Sequence, residues 1–123
     1  MCVMRLSGRV IGLAIEVHRQ LGPGLLESAY EECLCFELAE AGIEFARQIP
    51  LSLMYKTVRL DCGYRMDVVV ADRLILEIKT VERIMPIHKA QLLTYLRLSG
   101  HRVGLLLDFN SVVLRDDTHR LVL

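Results

Sequence analysis

From Tyr64 to Lys79 the chain reads Tyr-Arg-Met-Asp-Val-Val-Val-Ala-Asp-Arg-Leu-Ile-Leu-Glu-Ile-Lys, two apolar runs joined by the polar break Ala71-Asp72-Arg73. Short aliphatic and β-branched runs bounded by a turn signal predict two strands. Successive strand side chains alternate between faces. Arg65, Asp67 and Val69 therefore share one side of the first strand, and Glu77 and Lys79 share one side of the second. Pairing about the break projects Asp67, Glu77 and Lys79 from one sheet face. Charged groups wedged between apolar runs are poor choices for packing alone, because burying a charge is costly.

The remaining pattern predicts a mixed sheet flanked by helices. Residues 5–20 carry Leu6, Val10, Leu13, Ala14 and Val17 at helical spacing, and Leu21-Gly22-Pro23-Gly24 ends that helix. The glycine-rich corner lacks both a preceding strand and a Gly-Lys-Ser/Thr sequence, so it does not read as a nucleotide loop. A second helix is expected from Leu25 to Ala41, with Glu27 in its first turn and Tyr30 and Leu34 on the same face. Strands are expected at about 44–55, 58–70 and 73–79, with a bulge near Cys62-Gly63. A third helix runs from Pro86 to Leu98. A buried strand follows from Val103 to Phe109, then a loop from Asn110 to Arg120 and a last short strand at Leu121-Val122-Leu123. The order is α-α-β-β-β-α-β.

With 123 residues, 53% apolar and 24% charged, the chain reads as one compact domain spanning residues 1–123. The formal net charge is zero, so attraction to phosphates must be local. Glu27, Glu31, Glu32, Glu37, Glu40 and Glu44 make the early helical region acidic; Lys79, Arg83, Lys89, Arg97 and Arg102, with His88 and His101, make the later part basic. That asymmetry suits an anionic ligand on one side, and equally suits two solvated helices of opposite sign. Cys2, Cys33, Cys35 and Cys62 have neither zinc nor iron–sulfur spacing and read as reduced thiols. No secretory signal opens the chain, and no apolar run approaches the ~20 residues that span a bilayer. A cytoplasmic protein without a membrane segment is expected.

Chemistry on a phosphodiester requires a divalent cation on oxygen ligands, a positioned water and positive charge near the phosphate. Asp67 and Glu77 supply carboxylates, and the Ile78 carbonyl offers a third oxygen. Lys79, two residues beyond Glu77, is placed to orient the water or stabilise developing negative charge. Glu-x-Lys alone is common. Preceded ten residues earlier by Asp67 in this order of elements, it resembles the motif of the PD-(D/E)XK nuclease superfamily, although Met66 stands where that motif has proline. Gln91-Leu-Leu-Thr-Tyr95 looks like the Gln-x-x-x-Tyr element of the RecB-like members. Gly24-Leu-Leu-Glu27-Ser-Ala-Tyr30 is similar to the motif of the GxxExxY proteins, a bacterial and archaeal group of that superfamily.

The resemblance spans Val10 to Phe109. It implies an αβββαβ nuclease-like core with an extra N-terminal helix. It further implies Asp67 and Glu77 as Mg²⁺ or Mn²⁺ ligands, Glu27 as an accessory metal or water ligand, and Lys79 as the catalytic lysine. Gln91 and Tyr95 would contact substrate or Lys79. Tyr30, aligned with Glu27 at the edge of the cleft, is a further substrate-binding candidate, as is Arg65, which either clamps a phosphate or pairs with a carboxylate.

The expected activity is hydrolysis of nucleic acid, DNA before RNA. Three other readings stand beside it. Asp67 and Lys79 can form a structural ion pair; Gln91 and Tyr95 can serve a helix–sheet contact; the fold can persist as a non-catalytic nucleic-acid- or protein-binding module. A homo-oligomer through the apolar face of the first helix is a further expectation. His18, His101 and His119 read as surface residues, as does His88 unless it touches a phosphate.

Overall fold

A computed structural model describes residues 1–123. Helix α1 (Val3–Leu21) and helix α2 (Glu27–Glu40) lead into strands β1 (Phe45–Tyr55), β2 (Val58–Val70) and β3 (Leu74–Lys79). Helix α3 (Pro86–Ser99), strand β4 (Val103–Asp108), a 3₁₀ turn (Leu114–Asp117) and strand β5 (Thr118–Val122) complete the chain. The strands form one sheet in the order β1-β2-β3-β4-β5. Every pairing is antiparallel except β3–β4, which are parallel and joined through α3. A parallel neighbour requires such a crossover.

Two apolar layers cover the two sheet faces. On one, Leu6, Val10, Ala14 and Val17 of α1 and Tyr30, Leu34 and Leu38 of α2 pack against Val68, Leu76, Leu105 and Phe109. On the other, Leu92, Tyr95 and Leu96 of α3 pack against Val69, Ile75 and Leu106. Gly104 explains how closely α3 lies on β4: a Cβ there would sit 2.9 Å from Leu92 Cδ1. Proline at the first helical position and a left-handed Gly100 at the C-terminus bound α3 where its sequence predicts.

Three sequence expectations are corrected. The final strand begins at Thr118 rather than Leu121, because the backbone pairs Leu107 with Thr118 and Leu106 with His119. The apolar face of α1 is consumed by the chain's own core, so it is not a free dimerisation surface. His18 is buried, and its Nε2 lies 2.7 Å from the Ser111 carbonyl, tying α1 to the loop after β4.

Beyond Tyr64 towards the hairpin turn, β1 and β2 leave the body of the molecule as a two-stranded ribbon. Its register shifts between Leu51 and Leu53, at the bulge expected near Cys62-Gly63. Residues 58–65 are all exposed.

Candidate active site

The site forms where the sheet splits. β2 and β3 pair Val70 with Leu74, Val69 with Ile75 and Val68 with Leu76, and the ladder stops there. The next residues in register are Asp67 and Glu77, two carboxylates facing each other across adjacent strands. Like charges so placed repel. In place of backbone bonds, the Ile78 amide donates to Asp67 Oδ2 at 2.8 Å and the Asp67 amide donates to Glu77 Oε1 at 3.4 Å. On its other side, the β1–β2 register skips Gln48 and Asp67. Gln48 has φ 51°, a left-handed conformation costly for a residue with a Cβ.

Glu77 is 4% exposed, and Asp67 is half-buried. Burial, then the charge of Asp67, pushes the Glu77 carboxyl up to about 8. Burial also raises Asp67, with Glu31 and Glu27 adding to it and the Ile78 amide opposing.

Lys79 follows on the same face. It makes no salt bridge to Asp67 or Glu77, so the structural ion pair is not formed. Instead Lys79 Nζ donates to Gln91 Oε1 at 3.1 Å, and Gln91 Nε2 donates to Tyr95 Oη at 3.3 Å. Burial and then the negative field of Glu77 and Asp67 hold the Tyr95 phenol above its usual range. The spacing of four residues on α3 aligns Gln91 and Tyr95, and Gln91 links the tyrosine to the lysine.

Glu27 is the exposed first residue of α2, close enough for its charge to raise both Asp67 and Glu77. Tyr30 does not reach the cleft edge. It is fully buried, stacked on Phe109 with ring centroids 4.6 Å apart. Its hydroxyl donates to the Gly22 carbonyl at 2.6 Å and accepts from the Leu25 amide at 3.1 Å. Tyr30 therefore pins the glycine-rich corner that leads into Glu27. Arg65 is exposed on the ribbon and forms no salt bridge. His88 closes the start of α3, its Nδ1 accepting from the Met85 amide at 2.8 Å.

Two supporting acids escaped the sequence reading. Buried Glu31, one turn after Glu27, is held by Arg47 at 2.7 Å and Gln48 at 2.8 Å, which accounts for the kink opposite Asp67. Its four-residue spacing from Glu27 is the only signal it carries. Asp108 ends an otherwise apolar strand and pairs in register with Lys79. Its Oδ1 accepts from Val81 at 3.2 Å and Asn110 at 3.1 Å, clipping the segment after Lys79 to β4. Asp108 Oδ2 and His119 Nε2 are buried without partners, so His119 is not the surface residue its sequence suggests. A carboxylate closing a buried strand is the signal for Asp108.

Two opposed acids raised by burial and by neighbouring negative charge, with a third acid nearby, form a donor set for a hard divalent cation, which would relieve that repulsion. No group of three or more His, Cys, Asp and Glu side chains converges as a metal cage. The fit therefore rests on Asp67 and Glu77, with backbone oxygen and water completing the shell. No helix is long and apolar enough to cross a membrane. Residues 4–121 match a family model described as the PD-(D/E)XK nuclease superfamily. Searches of curated proteins and of solved structures find no match.

Proposed function

The chain belongs to the PD-(D/E)XK nuclease superfamily, whose nucleases generally use divalent metal ions, and from that premise we propose that it hydrolyses phosphodiester bonds of DNA at the Asp67–Glu77 pair. The observation that carries the reading is the convergence of two opposed acidic side chains, Asp67 and Glu77, with a lysine held by Gln91, itself fixed by Tyr95. Asp67 and Glu77, with the Ile78 carbonyl, would hold Mg²⁺ or Mn²⁺, and Glu27 would reach the same ion directly or through water. A cation held there would supply Lewis acidity, making a bound water more acidic and polarising a phosphoryl oxygen.

The protein's own groups do the rest. Gln91 accepts from Lys79 Nζ and so aims the ammonium over the sheet edge, where it can orient water or meet charge developing on the phosphate. Tyr95 fixes the Gln91 amide and thereby its carbonyl direction. Asp108 holds the segment after Lys79, and Tyr30 holds the approach to Glu27. The Gly24–Tyr30 motif supports placement with the GxxExxY proteins, and the Gln91–Tyr95 pair supports RecB-like affinity.

Cleavage of labelled DNA in Mn²⁺ by wild type, Asp67→Asn and Lys79→Met tests this. Metal-dependent cleavage lost in both variants is expected; equal cleavage by all three would sink the assignment. A metal-free binding module would instead bind DNA in a salt-dependent manner and cut nothing.

A further inference from the structure

Beside Lys79 lies a cavity of about 500 Å³ between α3 and the base of the β1–β2 ribbon. Leu53 and Tyr64 line it from the ribbon; Ile87, Gln91 and Leu98 line it from α3, and Lys79 sits at one end. No carboxylate lines it, although acids lie close by on the sheet. Tyr64 is 44% exposed and Ile87 is 70% exposed, so large apolar surfaces face water at the rim. Tyr95 meets the Tyr64 ring at 60° with centroids 6.1 Å apart, holding it by an edge contact without stacking on it. The exposed part of the ribbon that adjoins Tyr64 carries Lys56, Arg59 and Arg65 along its length against a single acid, Asp61.

A mostly apolar groove with a partly exposed aromatic ring, a lysine at one end and cationic residues along the adjoining ribbon fits a base joined to a phosphate. Bases stacked inside a duplex offer no free face, whereas an unpaired base can turn outward and stack on a side chain. We propose that this groove receives one unpaired base of a nucleic acid strand, stacked on Tyr64, while the adjoining phosphate lies toward Lys79. The favoured substrate is then single-stranded, or unpaired at the scissile position, and base identity matters little because every base has a π face. This deepens the nuclease reading and rests on it.

The test is anisotropy of labelled oligothymidylate, an abasic strand of equal length, and the duplexed strand, in Ca²⁺ without Mg²⁺ or Mn²⁺. Wild type should bind the base-bearing strand about ten-fold more tightly than the abasic strand or the duplex. Tyr64→Ala should abolish that preference and Tyr64→Phe should keep it; the exposed ring makes both variants compatible with folding. Equal binding of abasic and base-bearing strands, a preference that survives Tyr64→Ala, tighter duplex binding or no binding would each overturn the proposal. Cleavage in Mn²⁺, measured in parallel, separates the two readings. Base-dependent binding without cleavage keeps the groove and removes the nuclease; cleavage without base dependence does the reverse.

Discussion

Asp67 and Glu77 face each other where β2 and β3 part, and the Asp67 amide donates to the carboxylate of Glu77 while the carboxylate of Asp67 takes the amide of Ile78. The two side chains replace the ladder bonds that would otherwise close the strands. The arrangement leaves two acids in one half-buried gap, and the metal-free protein relieves it by keeping a proton on Glu77 up to about 8.

That proton has a consequence for stability. In the unfolded chain Glu77 ionises near the ordinary value for glutamate, about 4.3. Between that pH and about 8 the folded state binds more protons than the unfolded one, so stability falls as pH rises through this window. Glu77→Gln should flatten the slope and raise metal-free stability at pH 8.5 by about 2–5 kcal/mol, the upper end being the full linkage of that shift. Urea unfolding of both proteins at pH 5 and pH 8.5 checks it; a variant that is less stable at pH 8.5 would contradict the assigned strain.

Lys79 and Gln91 separate charge from aim. Lys79→Met should lower metal-dependent cleavage by about 10²–10³-fold, the scale for losing one group that stabilises developing charge. Gln91→Ala leaves the ammonium in place but unsteered, and about a ten-fold loss is expected. Neither should change Mn²⁺ affinity by more than a few-fold. Steady-state rates with Mn²⁺ titrations distinguish the two roles.

Arg47 is the salt-bridge partner of the buried Glu31 side chain, at 2.7 Å. Arg47→Met should destabilise the fold by about 1–2 kcal/mol, discounted because Arg47 is 34% exposed. Thermal melts provide the readout. The folded variant should still bind Mn²⁺, since Arg47 touches neither Asp67 nor Glu77.

Tyr30 serves as a strut, so Tyr30→Phe should cost about 1–3 kcal/mol by leaving the Gly22 carbonyl and Leu25 amide without their shared partner. KM for nucleic acid should not move. A KM increase with unchanged stability would return Tyr30 to the cleft.

Local spacing made much of this legible. The Ala71–Arg73 break sets the register that opposes Asp67 and Glu77, and a four-residue helical step aligns Gln91 with Tyr95. Long-range packing decided the rest. Tyr30 lies on the expected face of α2, but that face meets Phe109, far along the chain, rather than the cleft. The Gln48 kink depends on Glu31 drawing its side chain, and glutamine carries no intrinsic signal for positive φ. His119 looked exposed because a polar Thr-His-Arg run hides a strand that forms only against β4.

Calorimetric titration of Mn²⁺ at pH 7, in two buffers of different ionisation enthalpy, tests the metal site most directly. One Mn²⁺ should bind per chain with release of about one proton, because Glu77 must ionise to become a ligand. Asp67→Asn and Glu77→Gln should each weaken that binding severely. Mn²⁺ that fails to bind, or that binds both variants as tightly as wild type, would contradict the site.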